Sequence, residues 1–431
     1  MVDFLDLHAR RNPALIRVAV ELHQSGQIPP NVVVMDLDAI KQNTIVERRE
    51  ADRFGVSNYF MTKQFGRNPL VSKAISDNGI EKAVAIDIEE VKCLHRYGIP
   101  VGHVGHLSQV PTGDIEYVVS EVSPEVMTVF SFEKAKQISD AAARLGKTQD
   151  LMIRVVGRGD FFYPYQYGGI PAENLVELVD KISKLKNIRI VGVTSFPCVR
   201  YNILKQRVEP LSNLNTILEA AARMEKENKI EIRQVNAPGD TSAPVMEILA
   251  NAAKPYGYPV YGEPGNGLAG TTPWHYFVDL PELPAWIYVS EVSHVSGKNA
   301  YAYGGGLSGA NLMLGFWTDI FQQFYMYAFV GRDPDTIVQR KVLAEPAGYI
   351  DYYGTLVPGQ FGDVEIEVGD TVVYGFRIQV FASRAKVAVV KGIQKGKPEL
   401  LGIFDRCGNM LDRKTETPLS VERVQQIMLT L

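Results

Sequence analysis

Cysteine is scarce: three in 431 residues (Cys93, Cys198 and Cys407), none in a Cys-x-x-Cys pair. That excludes a disulfide framework and a zinc or redox motif of the paired type, and it suits a reducing compartment. A charge excess is missing too. Lys and Arg number 45 against 49 Asp and Glu, a formal net charge of −4, so nothing pulls the chain toward nucleic acid or an anionic membrane. Residues 1–13 are mixed and charged, without the apolar core of a secretion signal. The densest apolar run, Leu312 to Val330, carries Asp319, Gln322 and Gln323 and makes a poor membrane span. There is no internal repeat and no low-complexity tract. These absences point to the cytoplasm, with no nucleic acid and no membrane as partner, and leave a small molecule or a second copy of the chain.

Hydrophobic residues make up 46% and charged ones 22%, an ordinary globular balance, and the length exceeds what one core usually serves, so two domains are expected. From Asn58 to Gly262 short apolar runs alternate with longer amphipathic ones. The runs Tyr59 to Thr62, Ala83 to Ile86, Val101 to Gly105, Val126 to Phe130, Leu151 to Val155, Ile188 to Val193, Ile230 to Val235 and Pro259 to Tyr261 read as strands. Helical patterns such as Glu133 to Leu145 and Leu211 to Glu227 lie between them. Continuously apolar strands imply burial on both faces, and eight of them favour a closed (β/α)8 barrel over an open sheet. Beyond Pro284, runs rich in Val, Ile and Tyr (Asp370 to Phe381, Ala385 to Gly392, Leu400 to Phe404) are parted by Gly and Lys-Gly-Lys turns, with no helical period until Val421. The expected architecture is α/β: a barrel over residues 30–284, and a mostly antiparallel β domain built from residues 1–29 with 285–431. Phe316 to Phe329 is expected in the core or at a subunit contact, and Gly304-Gly305-Gly306 in a β turn.

Barrel chemistry sits at the C-terminal ends of the strands. Strand one ends in Thr62-Lys63-Gln64-Phe65-Gly66. A lysine there serves equally well as a solvated end cap, but an amine partly desolvated in a barrel mouth has a lowered pKa and can condense with an aldehyde. Strand seven ends in Asn236-Ala237-Pro238-Gly239-Asp240-Thr241-Ser242 just before a helix, which reads as a phosphate site or as a capped turn; the position in the barrel favours phosphate. Strand eight ends in Glu263-Pro264-Gly265-Asn266-Gly267. A carboxylate against a pyridine nitrogen would keep that nitrogen protonated and make the ring a strong electron sink. His103 and His106 close strand three, with no carboxylate or cysteine at ligand spacing, so no metal site is expected.

With those residues on the page, Asp36-Leu37-Asp38-Ala39-Ile40 with Asn43, followed by Lys63, resembles the opening of fold-type III pyridoxal-phosphate (PLP) enzymes, the alanine racemase and ornithine decarboxylase superfamily, in its YhfX-like branch. The resemblance covers nearly the whole chain. It implies that Lys63 carries pyridoxal 5'-phosphate, that Arg154 lies near the cofactor, and that Glu263 meets the pyridine nitrogen, as in the decarboxylases. It also implies that Cys407, in Phe404-Asp405-Arg406-Cys407-Gly408-Asn409, reaches into the neighbouring subunit's site; the turn around it favours exposure. The cofactor-binding set expected is Lys63, Arg154, Ser195, Phe196, Asn236, Gly239, Asp240, Thr241, Ser242, Glu263, Gly265, Asn266 and Gly267. Two departures stand out. Phe196 falls where relatives place a histidine over the ring, and Gly408 follows Cys407 where diamine decarboxylases have an aspartate for the substrate's distal amine.

The function expected is a PLP-dependent amino-acid racemase, acting as a homodimer on a small-molecule amino acid. Lys63 is one base, and Cys407 of the partner subunit the second acid or base, with a tyrosine of the β domain as substitute. The alternatives are an amino-acid decarboxylase, a non-catalytic PLP-binding protein, and a barrel aldolase using Lys63 directly on a carbonyl.

Overall fold

Strands that are apolar along nearly their whole length need cover on both faces. In the computed structural model, which describes residues 3–307, 326–345, 350–377 and 379–431, Ala83–Ala85, Val101–Val104 and Val126–Val129 are buried at every residue. Together with Gln149–Val156, Ile188–Thr194, Gln234–Asn236 and Val260–Gly262 they form one parallel sheet. The first strand is split at Tyr59. Its half Ser57–Asn58 pairs with Val260–Gly262, while its half Phe60–Met61 pairs with Ala83–Ala85, so the ring of pairings closes through this strand. Backbone bonds from Tyr59 to Gly262 (3.1 Å) and from Met61 to Pro264 (2.9 Å) complete the seam. This is the expected (β/α)8 barrel.

Its helices begin where sequence chemistry puts them. Phe132–Arg144 is capped by Ser131, whose hydroxyl accepts from Lys134 N–H. Ser212–Asn228 stops at Lys229 in the left-handed conformation (φ 60°), and strand seven starts only at Gln234, four residues later than its apolar run suggests. A hairpin, Val199–Asn202 with Arg207–Pro210, is inserted after strand six.

The chain forms two compact units. One comprises Thr44–Thr62 with Ile75–Gly267; the other comprises Met1–Asn43, Lys63–Ala74 and Leu268–Leu431. In the second unit six strands, Trp286–Ser296, Asn299–Tyr303, Tyr353–Val357, Lys341–Glu345, Met326–Gly331 and Thr371–Tyr374, pair antiparallel around a closed ring. The expected β domain is thus present. Val32–Asp36, inside the stretch assigned to the barrel, pairs instead with Trp286–Ser296 and, in parallel, with Lys386–Lys391. Five consecutive buried residues need cover on both sides, and helix Pro13–Gln24 supplies part of it: Leu15, Ile16, Ala19 and Val20 pack with Val32, Val34, Ile287 and Val289.

Asp36 and Asn43, the opening motif, turn out to be fastenings of this unit. Asp36 caps helix Leu37–Phe54 by accepting from Asp38 and Ala39 N–H (3.1 Å each), and Asn43 bonds to the backbone of Leu268 and Leu283. Gly304, Gly305 and Gly306 are not a simple turn. A Cβ at any of them would come within 2.5 Å of Asp351, Asn31 or Tyr288. Of the aromatic stretch, residues 316–325 lie outside the described residues, while Phe329 is buried.

Candidate functional site

Strand three places His103 inside the barrel, then turns at Gly105 (φ 85°), where a Cβ would sit 2.8 Å from Thr128 O, and brings in His106. Strand eight delivers Glu263, 160 residues away in sequence. His103 Nδ1 lies 2.8 Å from Glu263 Oε1 and His103 Nε2 lies 2.6 Å from Thr128 Oγ1. His106 Nε2 stands 3.6 Å from Glu263 Oε2. Asn236, at the end of strand seven, donates from Nδ2 to Glu263 Oε1 (3.4 Å). All of these side chains are buried, Glu263 to 1% exposure.

An isolated carboxylate in such a place costs several kcal/mol. Burial does push Glu263 up, but its interactions with His106 and His103, with the hydrogen bonds from His103 and Asn236, outweigh it and hold the carboxyl below its ordinary range. The absence of a carboxylate near the two histidines, expected from spacing, is therefore overturned in space. The ligand atoms of His103, His106 and Glu263 all lie within 4.8 Å of one another. Even so, both ring nitrogens of His103 already face hydrogen-bond partners, so the arrangement is a hydrogen-bonded ion cluster rather than a set of free lone pairs converging on a cation.

Arg154, on strand five, is fully buried, and burial lowers its guanidinium to about 10. Its Nη1 donates to His106 O (3.0 Å) and its Nη2 to Gln166 O (2.8 Å), and the guanidinium lies 4.8 Å from the Phe130 ring centroid. It thus fixes the His106 turn and the loop after its own strand. Phe196, at the position expected to lack a histidine, meets the His106 ring edge-on at 5.5 Å and Tyr163 at 5.6 Å. Ser195 Oγ is 3.4 Å from Asn213 Nδ2.

The loop after strand seven behaves differently. Thr241 and Ser242 are buried to 2% and 0% exposure, and neither Oγ has a hydrogen-bond partner; nor does Asn266 Oδ1 in the loop after strand eight. Unmet hydroxyls at such depth cost about 1–3 kcal/mol each and suit a ligand rich in acceptors, such as a phosphate. Helix Val245–Ala253 starts just beyond. Gly239 and Gly267 let backbones touch: a Cβ on Gly239 would meet Val199 O at 2.2 Å, and one on Gly267 would meet Thr241 O at 2.4 Å. Asp240 belongs to the fold, because its N–H bonds to Val199 O and its carboxylate accepts from Tyr201 N–H (3.0 Å). Gly265 is buried in the bend beside them.

Lys63 follows Thr62 directly, half-buried at the start of the short turn Lys63–Phe65. In the same unit Gly66 (φ 64°) approaches Val380 and Arg406, where a Cβ would find contacts at 2.8 and 3.4 Å. Cys407 is half-exposed in the turn braced by Asp405, which accepts from Cys407 N–H (2.9 Å), and its Sγ lies 3.8 Å from Arg67 Nη1 of the same chain.

Sequence reasoning passed over Thr128 and Tyr163 and gave little weight to His103 and His106. The available signal was location: a His-x-x-His around a glycine at a barrel-strand end. A cavity of about 250 Å³ lies where the strands begin, lined in part by Ser57, Glu81, Lys82 and Glu125, with Lys82 and Glu125 paired at 2.6 Å. That end of a barrel serves stability rather than chemistry. Among the described residues, no helix is long and apolar enough to cross a membrane.

Comparison with known proteins bears on this geometry. The family described as "Alanine racemase, N-terminal domain" matches residues 35–253, and "YhfX-like, C-terminal domain" matches residues 287–400. "Uncharacterized protein YhfX" of Escherichia coli (strain K12) is 35% identical over 408 residues, 95% of this chain and 99% of that one. Among solved structures, D-threonine aldolase from Filomicrobium marinum superposes with a TM-score of 0.63 at 14% identity, covering 89% of this chain and 96% of that chain. Diaminopimelate decarboxylase from M. jannaschii does so with a TM-score of 0.60, also at 14% identity, covering 92% of each. At such identities the two structures share the fold alone.

Proposed function

This chain belongs to the alanine racemase N-terminal domain family and carries a YhfX-like C-terminal domain, and from that premise we propose that it is a pyridoxal-phosphate-dependent amino-acid racemase. The observation that carries the reading is the buried, charge-stabilised Glu263 at the same end of the barrel as the unpartnered hydroxyls of Thr241 and Ser242. These are the two supports the cofactor needs, an anion for its ring nitrogen and donors for its phosphate. The residues present fit the group.

When bound, pyridoxal phosphate withdraws the electron pair left as a bond to the amino acid's α carbon breaks. Thr241, Ser242 and the start of helix Val245–Ala253 would hold the phosphate, and Glu263 would keep the proton on the ring nitrogen. Phe196 would stand beside the ring where relatives use histidine. Lys63, directly after Thr62 at the end of strand one, would be the amine that holds the cofactor, and its Nζ would then be the base for the α proton on one face. Cys407 Sγ of the partner subunit would return a proton to the opposite face; inversion of the stereocentre needs such a second group. The protein works as a homodimer in the cytoplasm, consistent with three free cysteines.

A carboxylate at position 263 also supports a second reading, amino-acid decarboxylation, since the resemblance there is to decarboxylases. Borohydride reduction of the PLP-loaded protein followed by peptide mapping is expected to label Lys63. Single enantiomers of the amino acids are expected to lose optical purity, with Lys63→Ala inert. Carbon dioxide release with recovered substrate still optically pure would reject racemisation in favour of decarboxylation. A label elsewhere, or none, would sink both.

A further inference from the structure

The two oxygens of Glu263 are held unequally, and the difference divides their labour. Oε1 is clamped between His103 Nδ1 at 2.8 Å and Asn236 Nδ2 at 3.4 Å, the same amide nitrogen standing 3.2 Å from His103 Nδ1. Oε2 accepts no hydrogen bond; His106 Nε2, 3.6 Å away, attracts it by charge but lies beyond hydrogen-bonding distance. His103 in turn is fixed from behind. Thr128 Oγ1, 2.6 Å from Nε2, has a hydroxyl proton to give, and when it donates there the imidazole proton resides on Nδ1, aimed at Glu263. Thr128, His103 and Glu263 come from the ends of strands four, three and eight, so the chain of bonds crosses the barrel mouth on rigid elements.

We propose that His103 is a positioning residue: Thr128 sets its tautomer, its Nδ1–H pins Glu263 Oε1, and Oε2 is thereby presented, charged, to the protonated ring nitrogen of pyridoxal phosphate. The inference rests on the cofactor reading above and adds the residue that decides the ring's protonation. Without the Nδ1 donor, Oε1 is a buried oxygen with one weak partner, the carboxylate becomes more basic, and the proton moves from the ring nitrogen to Glu263. The groups facing Glu263 are His103, His106 and Asn236, with the buried thiol of Cys198 near enough to feel its charge and the Tyr59 ring next to His103 at 6.2 Å. None of the others duplicates the short bond from His103.

The test uses the full chain loaded with pyridoxal phosphate carrying ¹⁵N in the ring, read by the ¹⁵N chemical shift. Wild type is expected at the protonated position. His103→Leu is expected at the unprotonated position, and His103→Asn, whose amide nitrogen takes the place of Nδ1, back at the protonated one. Because an apolar residue there can unfold the barrel, His103→Gln serves beside it: its amide falls near Nε2 and Thr128, and it is expected to behave as Leu does. A protonated ring nitrogen in His103→Leu or His103→Gln, at unchanged loading, overturns the proposal. Absence of a borohydride-stable label on wild-type Lys63 instead overturns the cofactor reading itself, so the two failures are told apart.

Discussion

Two fully buried carboxylates, Asp36 in the β unit and Glu263 in the barrel unit, are held in opposite ways. Asp36 has every acceptor direction filled by neutral donors: backbone N–H of Asp38 and Ala39 on Oδ1, and the amides of Asn12 (3.1 Å) and Gln394 (2.6 Å) on Oδ2. Among the described residues no cation pairs with it, and burial leaves its carboxyl above the ordinary range. Glu263 sits among two imidazoles, is held below its ordinary range, and keeps one oxygen without a hydrogen bond. An acid that fastens the fold is saturated by its own chain. An acid awaiting a ligand is kept charged and left one contact short.

The sharpest way to break this contrast is to neutralise each acid. Glu263→Gln keeps an acceptor for His103 and Asn236 but removes the anion. Turnover of the PLP-loaded enzyme is expected to fall about 10²–10³-fold, the scale of losing one preorganised charge partner, with little change in denaturant midpoint. Asp36→Leu should do the reverse. It strands the amides of Asn12 and Gln394 and uncaps helix Leu37–Phe54, a loss of about 2–4 kcal/mol in denaturant unfolding, with turnover per folded molecule unchanged. A Glu263→Gln protein that is unstable but active, or an Asp36→Leu protein that is stable but inactive, would reverse the assignment.

The same pair shows what could be read from sequence. Most of the eight strands were legible because their apolar runs are nearly continuous, and the strand-end rule pointed to Lys63, Asn236 and Glu263 without any contact being known. The hairpin Val199–Asn202 with Arg207–Pro210 buries Val199, Tyr201 and Val208 and leaves the residues between them more accessible, a pattern readable in principle. Other features were not. Val32–Asp36 looks like any buried strand, and only pairing with residues 286–289 and 386–390 assigns it to the other sheet. Spacing rules address ligands on one element, so the bond from His103 to Glu263 left no local trace. Asp36 and Asn43 were visible as a motif, but a motif does not say whether it holds a cofactor or a helix end.

The smallest expected effect is also the one that tests the contrast without any ligand, through pH. Asp36 has a folded pKa above the ordinary 3.8, so as pH falls toward that value the native state takes up the proton before the unfolded chain does, and stability rises. Glu263 has a folded pKa below the ordinary 4.5, so its contribution is complete above that value and is lost as pH falls further, because the unfolded chain protonates first. Asp36→Asn and Glu263→Gln each delete one of these titrations. Thermal melting between neutrality and the acid limit should show wild type gaining on Asp36→Asn as pH is lowered and losing ground to Glu263→Gln over the same descent. Two difference curves with the same slope would mean that the carboxylates are held alike, and the distinction between a fastening acid and a ligand-facing one would have no energetic basis.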